Sequence, residues 1–126
     1  MAYTPIDKSS DYFNTKLYTG NGGTNAQTGV GFQPDWCWFK DRSASRNHAE
    51  VDAVRGRSKV VFPDLTNAEE TSGSTKDLVS FDSDGFTLGA TQISGSFNFN
   101  GSSIVSWNWK AGTSFTNDAS ATGIGS

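Results

Sequence analysis

The sequence predicts an all-β fold, an antiparallel β-sandwich or jelly roll, on three observations. Apolar residues arrive in short bursts with alternating polar neighbours, not at helical spacing. Gly, Asn, Asp and Ser separate those bursts at regular intervals. The apolar content is carried by large rings: 9 Phe, 4 Trp and 3 Tyr in 126 residues. The one stretch with some helical character, residues 49–54, soon meets Gly56. Strands are therefore expected at residues 12–18, 35–40, 51–54, 59–62, 79–81, 85–88, 95–99 and 104–110.

The turns between them are set by residues that tolerate positive backbone dihedrals. Asn21-Gly22-Gly23 follows the first strand, Asp84-Gly85 separates Phe81 from Phe86, and Asn100-Gly101 closes the clearest hairpin, 95–99 against 102–110. Residues 35–40 are apolar on both sides, Trp36 and Trp38 on one and Cys37 and Phe39 on the other. Such a strand belongs in the middle of a sheet, and its tryptophans are expected in the core. In residues 95–99, Phe97 and Phe99 share a side. In the last strand, alternation groups Val105, Trp107 and Trp109 as the core face and Ser106, Asn108 and Lys110 as the solvent face. After Gly112 the chain turns small and polar, with only Phe115 and Ile124 as apolar anchors. The expected organisation is a sandwich domain over 1–112 and a tail or linker over 113–126. Thr122-Gly123-Ile124-Gly125 echoes Thr28-Gly29-Val30-Gly31, too short a match to define a repeat.

Composition narrows the function. Ten Lys+Arg against 13 Asp+Glu give a formal charge of -3, which does not draw a protein to phosphates, so no nucleic-acid partner is expected. No apolar run reaches bilayer length and no signal peptide is recognised at the start, so cytoplasmic synthesis without a membrane partner is expected. The single Cys cannot form an intrachain disulfide or a thiolate cluster, and the single His excludes a His-rich metal site. No cofactor loop is present: the glycines at 20–23 lack dinucleotide spacing and a following helix. A Cys37–His48 dyad would place a nucleophile beside a base, but Cys37 sits in a run expected to be buried and inert. Asp82-Ser83-Asp84-Gly85 offers Asp82 and Asp84 as weak calcium candidates, although a turn already accounts for the pattern. The polar loop 41–48 is where a rigid sandwich would carry recognition. Its Arg42, Arg46 and His48, with neighbouring Trp38, are the candidate ligand-binding residues.

Several segments carry a family likeness in order and spacing: Asp11-Tyr12-Phe13 with Leu17-Tyr18-Thr19-Gly20-Asn21-Gly22; Gly29-Val30-Gly31-Phe32-Gln33-Pro34-Asp35-Trp36-Cys37-Trp38-Phe39-Lys40; Val54-Arg55-Gly56; Ser80-Phe81-Asp82-Ser83-Asp84-Gly85-Phe86-Thr87-Leu88-Gly89; and Trp107-Asn108-Trp109-Lys110-Ala111-Gly112. Together they resemble domains of marine bacteriophage virion and tail-fibre-like structural proteins, whose sandwich is similar to the concanavalin A-like lectin and glucanase type. The resemblance implies a non-enzymatic virion component, such as a fibre, appendage or capsid decoration subunit. It implies partners among other virion proteins and copies of itself, with a homo-oligomer, commonly a trimer, expected. A lectin-like module for host-surface glycans is the alternative. A remote alternative comes from Glu50-Val51-Asp52-Ala53-Val54-Arg55, which resembles the Glu-x-Asp-x-x-Glu strand of laminarinase-type glycoside hydrolases. There Glu50 would be the nucleophile and Asp52 its support. Arg55 stands where the acid should be and cannot donate a proton at neutral pH, so no catalytic residue is expected.

Overall fold

The computed structural model of the chain describes residues 8–111, so the segment 113–126 lies outside the described residues. The described chain is nearly all strand: β1 (Phe13–Thr19), β2 (Asn25–Gln27), β3 (Trp36–Asp41), β4 (Ala49–Asp52), β5 (Lys59–Val60), β6 (Glu70–Thr71), β7 (Leu78–Asp82), β8 (Gly85–Leu88) and β9 (Ser103–Trp109), with one helical turn, α1 (Gly95–Asn98), before β9. A four-stranded antiparallel sheet runs β1-β9-β3-β4, and a three-stranded one runs β2-β8-β7. The short β5–β6 ribbon is tied to β4 by the bridge Glu50–Val61. β3 is central in its sheet, as its apolar character on both sides requires.

The two sheets meet through Phe39. Its ring lies 5.3 Å from Phe86 of β8, edge to face, and 4.8 Å from Phe97 of α1. Phe39 has room because its neighbours in the sheet register are small, Ser106 on β9 and Ala49 on β4. Val30, Phe32, Cys37, Val51, Val60, Phe62, Leu78 and Leu88 complete the core. The result is an all-β sandwich.

The alternation in β9 is real, but its assignment to faces is reversed. Ile104, Ser106 and Asn108 point inward and are fully buried, whereas Trp107 and Trp109 are only partly covered. Hydrogen bonding makes the polar inner face tolerable. The Cys37 thiol donates to Asn108 Oδ1 (3.2 Å), and Asn108 Nδ2 donates to Asn14 O (3.1 Å) and Ser106 Oγ (3.1 Å). Trp36 and Trp38 likewise stand on the outer face of β3, opposite buried Cys37 and Phe39. The expectation of four core tryptophans therefore fails.

The strand and hairpin expected over 95–110 are replaced at their first half by α1. The Ser94 hydroxyl caps Ser96 N–H (3.2 Å), and Tyr18 OH donates to Phe97 O at 2.6 Å. One helical turn sends Phe97 into the core and leaves Phe99 outside, so they do not share a side. β2 and β6, three and two residues long, had no predicted counterpart. Val54, placed in a strand by the sequence, instead lies exposed in the turn after β4.

Asn98 locks this corner. It is fully buried. Its Oδ1 accepts from Asn21 N–H (3.0 Å) and Asn25 Nδ2 (2.9 Å), and its Nδ2 donates to Gly23 O (2.6 Å) and Gly89 O (2.8 Å). Truncation would leave several buried groups unpaired. Asn98→Ala is expected to lower the unfolding free energy by about 3 kcal/mol in urea titrations, whereas a loss under about 1 kcal/mol would mean that water replaces the side chain.

Candidate functional site

The register of the four strands assembles an aromatic grid on the outer face of their sheet. One row reads Phe13, Trp109, Trp36, Asp52; the next reads Thr15, Trp107, Trp38, Glu50. Each tryptophan faces another across the β3–β9 ladder, because Trp-x-Trp on β3 and Trp-x-Trp on β9 meet in phase. Trp36 and Trp109 stack at 4.2 Å with planes 21° apart, and Phe13 packs on Trp109 at 5.1 Å. Trp38 meets Trp107 edge to face at 6.1 Å. Mutual contacts of this kind hold the rings in fixed orientations on a rigid support.

Between them lies an open depression of about 280 Å³, lined by Trp38, His48, Trp107 and Trp109 and almost wholly apolar. Trp38 Nε1–H donates to His48 Nδ1 at 2.9 Å. An indole N–H can only donate, so Nδ1 must accept and the imidazole proton sits on Nε2. His48, which lines the depression, thus keeps Nε2–H as its remaining donor.

The acidic edge lies on β4. Asp52 is committed: its Oδ2 receives Arg55 Nε at 2.6 Å and its Oδ1 receives Arg55 N–H at 2.8 Å, while Arg55 Nη1 also holds Glu69 at 3.0 Å. Burial alone would raise the Asp52 carboxyl, but the bonds from Arg55 outweigh it and bring it below its ordinary value. Glu50, the cross-strand neighbour of Trp38, makes no side-chain hydrogen bond or ion pair among the described residues. Burial raises its carboxyl, against the pull of Arg55. The face thus combines aromatic surface, one unengaged acceptor and one imidazole donor.

Of the sequence-predicted ligand residues, the structure brings Trp38 and His48 together and leaves the two arginines elsewhere. Arg42 is exposed on the loop between β3 and β4. Arg46 is turned away from the tryptophans, with Nε on Asp41 Oδ2 (3.0 Å) and its guanidinium 3.9 Å over Phe99. Asp82 and Asp84 sit on the β7–β8 hairpin and are both engaged. Asp82 accepts from the Ser80 and Thr87 hydroxyls, and Asp84 accepts Gly29 N–H (2.9 Å) and Gly31 N–H (2.7 Å). Among the described residues no group of three or more His, Cys, Asp or Glu is placed to hold a metal ion. Cys37 is fully buried and its thiol is pushed up by burial, so it does not form a dyad with His48, which pairs with Trp38.

The family match covers residues 8–125, nearly the whole chain. The chain belongs to DUF7483, a domain of unknown function. No curated protein and no solved structure matches it.

Trp36, Trp107, Trp109 and Phe13 are the site residues that sequence reasoning missed. The available signal was the recurrence of Trp-x-Trp on two strands, each opposite a set able to fill an interior: Cys37 and Phe39 on one, Ile104, Ser106 and Asn108 on the other.

The loop that carries His48 is anchored by Asp41, which is 1% exposed. Burial alone would raise its carboxyl, but Ser102, Ser43 and Arg46 bind the charged form and bring it from an ordinary 3.8 down to about 2. A depressed carboxyl stabilises the fold fully above its unfolded value, and that contribution drains away as pH falls towards the folded one. Stability should therefore drop by about 2 kcal/mol between roughly pH 4 and pH 2 from this residue alone, and Asp41→Asn should flatten that limb in pH-dependent denaturant titrations.

Proposed function

We propose that this DUF7483 domain is a non-enzymatic recognition module of a bacteriophage virion, and that its tryptophan face holds a sugar ring. The observation that supports this most strongly is the placement of all four tryptophans outward on two paired strands, where burial would have been the stabilising choice. A pyranose presents C–H groups on its flat faces and hydroxyls around its rim. The apolar depression suits the first, and the Glu50 carboxylate and His48 Nε2–H suit the second. At about 280 Å³ the depression is small for an enclosed ligand and suits one ring lying on an aromatic floor.

Support for a binding module over a hydrolase comes from the acidic edge. Glycoside cleavage needs two carboxyl groups, one of which delivers a proton. Asp52, the acid beside Glu50 on β4, and Glu69 are both tied to Arg55, so neither stands as a free proton donor.

The virion setting rests on the family resemblance of the sequence. A second use of the same sheet, contact with copies of this chain or other virion proteins, is favoured by one observation. Phe13 and Leu17 on edge strand β1 are 37% and 57% exposed and extend the apolar surface to the sheet margin.

Screening against neutral and acidic oligosaccharides should identify a ligand that changes tryptophan fluorescence. Trp107→Ala and Trp38→Ala should each weaken it at least tenfold, the order expected from losing one aromatic contact. Glu50→Gln should weaken it less and reveal no lost turnover. A domain that binds no saccharide, and sediments as an oligomer that Phe13→Ser and Leu17→Ser dissociate, would replace the glycan reading with the assembly one.

A further inference from the structure

The loop between β3 and β4 separates two depressions. One is the tryptophan site; the other, about 260 Å³, is lined by Ser45, Arg46, Asn47, Ile93, Ser94 and Gly95 and is mainly polar. Arg46 is held there from three sides. Its Nε is bonded to Asp41 Oδ2 (3.0 Å), the Phe99 ring lies against one face at 3.9 Å, and the Gly95 backbone lies against the rest of the side chain. A Cβ on Gly95 would fall 2.5 Å from Arg46 Cδ and 2.7 Å from Nε, so only glycine leaves room for this placement.

A tether to Asp41 would account for Nε alone. Among the described residues, Nη1 and Nη2 have no hydrogen-bond partner, and together they form the open fork of a fixed guanidinium. Asp41 does not exhaust the local charge either, since it is also bonded to Ser43, Ala44 and Ser102. Over residues 40–47, Lys40, Arg42 and Arg46 against Asp41 leave a net charge of +2, in a chain of formal charge -3. The Lys40 charge within this sum is not cancelled by an ion pair among the described residues, since its ammonium bonds the carbonyl oxygens of Asp41, Ala44 and Arg46.

We propose that this second depression is a carboxylate subsite for an acidic sugar, with Arg46 as its two-point anchor. A planar carboxylate matches the open fork, and such pairs are among the stronger polar contacts available to a side chain. The surrounding Ser45, Asn47 and Ser94 are neutral hydroxyl and amide groups that complement sugar hydroxyls. A bare phosphate or sulfate would use the fork and leave the rest of the cavity to water. The sugar part of this inference rests on the glycan reading of the tryptophan face, whereas the carboxylate part stands on Arg46 alone.

The test follows the side-chain resonances of the intact, folded chain by NMR during titration with D-glucuronate, D-glucose and sulfate. Arg46 Nε–H reports this pocket, and the tryptophan Nε1–H resonances report the other. Glucuronate should shift Arg46 saturably, and glucose should leave it unmoved. Arg46→Lys, which keeps the charge but not the fork, should weaken glucuronate at least tenfold, read through the Gly95 and Asn47 amides. Asn47→Asp, which leaves the Asp41 tether untouched, should weaken it similarly. No shift at Arg46 with glucuronate, equal shifts with glucose, or a response to sulfate as large as to glucuronate would each overturn the assignment. None of those results depends on whether a neutral oligosaccharide moves the tryptophan signals.

Discussion

Everything on the outer surface follows from the pairing register of β3 with β9. Because Trp38 lies opposite Trp107 and Trp36 opposite Trp109, the inner rows become Cys37 beside Asn108 and Phe39 beside Ser106. A slip of one residue would put the two strands out of phase, so that one Trp-x-Trp pair turned into the sandwich while the other stayed outside, and a flip of β3 would carry Phe39 out of the core. The register is held from inside, by the Cys37–Asn108 contact, by the bonds from Asn108 to Asn14 and Ser106, and by a phenyl ring that fits only between small neighbours. A buried polar cluster on β9 is thus what frees the large aromatics from core duty.

That arrangement has a physical cost, which makes the aromatic face informative. Four indoles turned inward would have removed more apolar area from water than Ser106, Asn108 and Cys37 do. Stacking and edge contacts among the rings return part of this, about 0.5–1.5 kcal/mol per pair, but Trp36 still stands 36% exposed. Beside them, Glu50 keeps a carboxylate without a hydrogen-bond or ion-pair partner among the described residues, in a half-covered position, another feature that folding alone does not require. These two features, on one rigid surface, are what the proposed binding role rests on.

The sequence made strands legible and faces illegible, for one reason. Alternation is a local property, so β3, β8 and β9 could be located closely from their own residues. Which side of an alternating strand faces inward depends on what the opposite sheet supplies. Phe86 and Leu88 on β8, with Phe97 from α1, fill the interior so well that small polar residues on β9 suffice there. Residues 95–99 misled for a related reason. Their alternating phenylalanines suit a strand, but the Ser94 cap and the Tyr18 bond to Phe97 O favour one helical turn, and Tyr18 is 79 residues away in the chain. The same distance dependence hid the site: Trp38 and His48 were visible because they are near in sequence, whereas Trp107 and Trp109 join them only through the ladder.

Asp41 links this architecture to both depressions. It ends β3 on the inner face, is bonded by Ser102 just before β9, and holds Ser43, Ala44 and Arg46 of the loop. The loop then returns to the outer face, where His48 reaches Trp38. A single buried carboxylate therefore fixes the path that places an imidazole on one side of the loop and a guanidinium on the other. With both held by bonds already made in the free protein, a saccharide spanning the loop would meet donors in place and would not have to order them, which is where a small interface gains most of its affinity.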